Sequence, residues 1–235
     1  MKGPGPLLFG SFALVHGVIA ALALTLVPTW PLVAFPLALV EAVTAYDNLI
    51  IVLGHRIGVG SQAIPPNRTR FFLHAVVIGL LVPVYVGIGA RLEVALLASE
   101  FSLAAAFVLA AAIALFGYTV QFRRLGALMP SNHFGCLRYV QAVDERRRYP
   151  GYDYTEAELA QRPLPPFASI ITVLLGLLVA LWIGIAAGFW VPFVVTVLMF
   201  AAAGLPPKSW GPVATSALEI VFSGGLLWSI FAVAG

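Results

Sequence analysis

Seven apolar runs, each close to the roughly 20 residues of helix that a bilayer core demands, fill most of this chain, at 6–27, 31–54, 71–90, 101–120, 167–187, 189–205 and 212–233. They predict an all-α polytopic membrane protein, a bundle of about seven transmembrane helices forming one domain over 1–235. Composition agrees: 61% of the 235 residues are apolar and 10% are charged, against about 25% charged in a soluble domain. The sixth run is the shortest, and it carries Pro192.

The basic residues test this count independently, because cytoplasmic loops carry the excess of Lys and Arg. With seven spans, Lys2, Arg56, Arg68, Arg70, Arg123, Arg124, Arg138, Arg146, Arg147, Arg148, Arg162 and Lys208 fall on one side and Arg91 alone on the other. This partition predicts an integral membrane protein, of the cell membrane if the source is bacterial, with a cytoplasmic N-terminus and an exterior C-terminus. The net charge of +3 reports topology, and no nucleic-acid partner is expected. Lys2, the apolar run from Leu7 and Ala21-Leu22-Ala23 imitate a signal peptide, but His16 interrupts the run and the apolar stretch continues to Val27. Cys136 stands alone, so no intrachain disulfide can form.

One long connection, 121–166, is expected on the cytoplasmic side. Within it, Thr155-Glu156-Ala157-Glu158 matches a helix-capping box. Residues 132–148 allow a short interfacial helix with Phe134, Leu137, Tyr139 and Val140 on its apolar face.

Against this background the second run keeps Glu41, Asp47 and Asn48. At about 100° per residue, Glu41, Thr44, Asn48 and His55 share a face, with Asp47 at its edge. A charge at the bilayer centre costs roughly 2.5–3.5 kcal/mol even on the lenient insertion scale, so the stripe should face other helices or a wet cavity. The seventh run adds Glu219 and, one turn on, Ser223. These two helices run in opposite directions, and Asp47 and Glu219 each lie about seven residues, roughly 10 Å, from their cytoplasmic ends. His74 on the third run is somewhat nearer the cytoplasm, and His16 on the first is near the level of Glu41. Three acids on two helices are expected to line an internal chamber, since a hydroxyl or amide would tie helices together at a smaller desolvation cost. Two carboxyl groups at close range in low dielectric do not both ionise readily, so one holds a proton for chemistry or for exchange.

Several chemistries lack their residues. The only lysines, Lys2 and Lys208, are not placed for a retinal Schiff base. Phe222-Ser223-Gly224-Gly225 departs from the GxSG of rhomboid-type proteases, and four scattered histidines do not make a di-iron set. Asp47 is the sole aspartate within a span, too few for magnesium-assisted diphosphate ionisation. No metal or cofactor is expected.

In size, in its seven spans, and in carrying Glu41 and Asp47 on the second and Glu219 on the seventh, the chain resembles the integral-membrane terpene cyclases of meroterpenoid pathways. The resemblance implies a non-metal, acid-initiated cyclase of the isomerase or lyase class, which protonates an epoxide or alkene of a lipid-soluble prenylated substrate. Fungal members set their helix-two glutamate in an Asn-rich Trp-Glu context, whereas here Val40-Glu41 is followed by Tyr46-Asp47-Asn48. The acid role therefore stays open among Asp47, Glu219 and Glu41. Asn48, Tyr46, His74, His16, Ser223 and Trp228 are the expected substrate-binding residues, with Tyr46, Tyr85, Tyr118, Phe222 and Trp228 available to steady a carbocation. Trp30, Trp190 and Trp210 sit at span ends as interfacial anchors. The competing reading is a small proton-coupled transporter or channel using the same acids as a relay.

Overall fold

Proline and glycine punctuate the helices of the computed structural model, which describes residues 3–203 and 211–234. Lys2, Lys208, Trp210 and the end of the 189–205 run lie outside the described residues. α1 (Gly5–Thr25) starts at Pro4 and Pro6, where missing N–H groups cost nothing. α2 (Pro31–Ile57) begins on Pro31 and stops at Gly58, whose φ of 81° an L side chain resists. The third passage, Ser61–Arg91, contains α3 (Ile64–Val77) and α4 (Leu81–Arg91) with a tight turn at Ile78–Leu80 between them. Pro83 explains the break, because it cannot donate to the Gly79 carbonyl and its ring crowds that turn.

Ser99 caps α5 (Glu100–Phe116), its side chain accepting from the Ser102 N–H. α5 then widens into a π-helical segment, Gly117–Phe122. After the long connection come α6 (Glu156–Ala160), α7 (Phe167–Ala187), α8 (Val191–Ala203) and α9 (Gly211–Ala234). Six of the passages are long and apolar enough to cross a membrane. α8 is the exception: its 13 residues rise about 20 Å. Leu7, Leu14, Phe101, Val108, Leu115, Leu178 and Ile185 are more than 60% exposed, the outward apolar surface that lipid would cover.

The 132–148 segment corrects the expectation of an interfacial helix. It holds an antiparallel hairpin, β1 (Met129–His133) and β2 (Cys136–Val140), so the fold is not purely helical. Phe134 and Gly135 both have positive φ, 54° and 89°, as a two-residue type I′ turn requires, and Asn132 Oδ1 accepts from the Gly135 N–H. The Thr155–Glu158 capping box forms as expected, and Glu158 is held below its ordinary carboxylate range chiefly by the Thr155 N–H it accepts.

Helix ends clamp the hairpin. The Gly5 N–H donates to the Phe134 carbonyl at 2.8 Å, His55 Nε2 donates to the Gly135 carbonyl at 2.7 Å, and Arg70 Nη2 donates to the Tyr139 carbonyl at 3.0 Å. A Cβ at Gly54 would sit 1.9 Å from the Leu137 carbonyl oxygen, so the backbones touch. Cys136 is buried with Phe9, Phe12 and Ile51. The opposite half of the bundle is filled by one apolar core, including Ile19, Leu37, Leu81, Ile88, Ile183, Leu226 and Ile230.

Candidate functional site

Buried polar side chains run from the middle of the bundle toward the hairpin. His16 of α1 and Glu41 of α2 meet at 2.6 Å, Nδ1 to Oε2, both essentially fully buried. Each adjacent helix thus supplies one half of the pair, as their shared level in the sequence predicts. Nearer the hairpin, Asp47 of α2 accepts from Arg70 Nε of α3 at 2.8 Å; the arginine is 2% exposed and the aspartate 25%.

Glu219 of α9 completes the set. It lies within charge–charge range of His16, Glu41, Asp47 and Arg138, so the three acids of α2 and α9 do share one region. Unlike the other two, its carboxyl makes no hydrogen bond or ion pair among the described residues. Residues 213–220 of α9 are all half-buried, with no division into a buried and an exposed face. On one face of this stretch Val213, Ala217 and Ile220 pack against the cluster of Phe9, Phe12, Ile51 and Cys136.

The expected substrate-binding residues divide. Asn48 is buried; its Nδ2 donates to the Thr44 carbonyl of its own helix, and its Oδ1 is buried without a partner. His16 Nε2 is likewise unpartnered. His74 Nε2 lies 3.1 Å from Ser169 Oγ of α7 and within charge range of Asp47, Arg70 and Arg138. Tyr46 donates to the Pro66 carbonyl at 3.2 Å, tying α2 to α3. Ser223 is buried one turn beyond Glu219. Trp228 stands apart from the acids: it is 53% exposed and stacked on Phe189 with rings 5.8 Å apart. Of the other aromatic candidates, Tyr118 is 40% exposed and stacks on Phe122. Tyr85 is buried in the apolar half against Thr196, whereas Phe222 follows Glu219 by three residues on the same helix face and is buried.

Two arginines belong to the site that the sequence assigns to the surface charge set. Arg70 falls just before the third apolar run, but the passage begins at Ser61 and carries it inside. Arg138 is half-buried on β2, within charge range of Arg70, His74 and Glu219. The signal available for Arg70 was helical spacing, since Arg70 and His74 stand four residues apart on one face. Comparison of the chain with family models, with curated proteins and with solved structures returns no match.

Proposed function

We propose that the chain crosses the membrane seven times, with the hairpin on the cytoplasmic side, and that its polar chamber carries out acid-initiated cyclisation of a lipid-soluble prenylated substrate. The carrying observation is the different status of the three acids: Glu41 and Asp47 each hold a basic partner, and Glu219 holds none among the described residues. A carboxyl group in such surroundings is less costly in its neutral form, which makes Glu219 the proton donor. Asp47, bound to Arg70, and Glu41, bound to His16, position the chamber.

The chemistry needs no co-reactant. Glu219 gives its proton to a terminal alkene carbon or epoxide oxygen, the cation that forms is captured by an internal double bond to close a ring, and loss of a proton to the Glu219 carboxylate restores the acid. The ring of Phe222, buried one turn from Glu219 on α9, is of the type suited to a developing positive charge.

The one-sided distribution of polar groups favours this reading over a carrier. A proton relay across the bundle needs polar stations throughout, whereas the half away from the hairpin is the apolar core, in which Tyr85 and Thr196 satisfy each other at 2.6 Å. The deciding experiment supplies membranes containing the protein with a prenylated epoxide. Wild type should yield a cyclised isomer and Glu219→Gln none, with folding retained. Solute uptake by proteoliposomes driven by a pH gradient, together with no cyclised product, would overturn the proposal in favour of transport.

A further inference from the structure

The chamber holds more positive donors than its acids use. Arg70 spends Nε on Asp47 and Nη2 on the Tyr139 carbonyl, and its Nη1 is buried without a partner. Arg138 spends nothing: its guanidinium makes no hydrogen bond among the described residues, and its Nε is buried. In a strand, residues two apart share a face. Arg138 therefore lies on the face of β2 that carries Cys136, which packs against Phe9 of α1 and Ile51 of α2. That face closes the hairpin end of the bundle, where Glu219 and Arg70 are within charge range of Arg138.

We infer that the chamber binds the oxyanion headgroup of an amphiphilic substrate, a carboxylate or a phosphate, between the guanidinium groups of Arg138 and Arg70. Two features select an oxyanion. Guanidinium N–H groups match the geometry of carboxylate and phosphate oxygens. A charged arginine held at the bundle end without an ion pair among the described residues is also stabilised by any anion that joins it, more strongly there than in bulk water. Water can satisfy the free N–H groups in the empty protein but brings no compensating charge. Attachment of the headgroup to an apolar chain follows from what surrounds the chamber: the large apolar core beyond the acids and the lipid-facing helix surfaces.

The inference names the substrate class of the same chamber and rests on its being a substrate site, but not on what reaction occurs there. It is tested by binding, so its failure is separable from failure of the cyclase reading. Purified full-length protein in nanodiscs is titrated with farnesoic acid, farnesyl monophosphate, neutral farnesol and inorganic phosphate. At least one anionic isoprenoid should bind roughly ten-fold more tightly than farnesol, and which one does so distinguishes carboxylate from phosphate. Arg138→Gln should remove that preference, and Arg138→Lys, which keeps the charge but loses the fork, should retain part of it.

Three results would overturn the inference: no anionic preference in the wild type, an undiminished preference in Arg138→Gln, or inorganic phosphate binding as tightly as the anionic isoprenoid. The wild-type comparison decides the matter even if Arg138→Gln does not fold. An anionic preference without any cyclised product would leave the binding site standing and remove only the proposed reaction.

Discussion

His16 Nδ1 and Glu41 Oε2 lie 2.6 Å apart between α1 and α2, with side chains 0% and 1% exposed. Neither group has water to fall back on, so each depends on the other for its polar satisfaction. His16→Ala should cost roughly 3–5 kcal/mol, the usual penalty for orphaning one member of a buried pair. Glu41→Gln should cost much less, because the amide oxygen still accepts from the imidazole. Thermal unfolding in detergent should rank the three proteins in that order; a His16→Ala protein as stable as wild type would show that the pair holds nothing together.

The contact between Gly54 and the hairpin admits no side chain. A methyl group there would overlap the Leu137 carbonyl, and because a backbone atom is the obstacle, β2 must move. Gly54→Ala is expected to destabilise hairpin docking by roughly 1–3 kcal/mol. Trypsin should then cut faster at the exposed Arg146 and Arg148, with the helices otherwise intact. Unchanged cleavage kinetics would mean that the close approach is dispensable.

His133 supplies a pH prediction outside the helices. It is 6% exposed, and its Nδ1 accepts from Arg147 Nη1 at 2.8 Å, so the ring is neutral. Burial first, then Arg138 and Arg147, push its pKa down from 6.5 to about 2. Between these values the unfolded chain binds the proton and the folded hairpin does not, so stability is complete above pH 6.5 and declines as pH falls. At pH 5 the loss is about 2 kcal/mol. Amide exchange across residues 129–140 should accelerate from pH 7 to pH 5 after correction for intrinsic rates, and His133→Gln should flatten that response.

The hairpin of these clamped strands was hidden in the sequence by its composition. Leu137, Tyr139 and Val140 fit a short helix face as well as a strand, an ambiguity that periodicity does not resolve over so few residues. The Phe134-Gly135 turn also lacks the usual Asn-Gly signal. The passages themselves were legible because hydropathy alone marks them, although the third begins at Ser61, where Asn67, Arg68 and Arg70 depress the apolar average. The level shared by His16 and Glu41 followed from helix rise. Arg70 and Arg138 were not legible as site residues, because a basic residue next to an apolar run counts equally well as a topological charge. Burial against Asp47 and placement on the inner face of β2 are tertiary facts. The outward direction of Trp228 depends on helix rotation about its own axis, set by packing against Phe189.

The proposed seven-pass arrangement makes its own prediction. A reporter placed near Gly151 should read cytoplasmic and one fused after Gly235 exterior, because the basic residues partition that way. Reporters on the same side would require an even number of crossings. They would point to α8, the shortest passage, as the one that does not traverse.

The position of the three acids of α2 and α9 relative to the apolar core also has an electrical meaning. A membrane voltage falls chiefly across the layer of lowest dielectric constant, here the apolar core on the side away from the hairpin, where moving a unit charge through 100 mV takes about 2.3 kcal/mol. A proton reaching Glu219 from the hairpin side crosses little of that drop. The occupancy of this acid should therefore follow the acidity of the compartment facing the hairpin, and it should be nearly indifferent both to the resting potential and to the pH of the fluid on the other side.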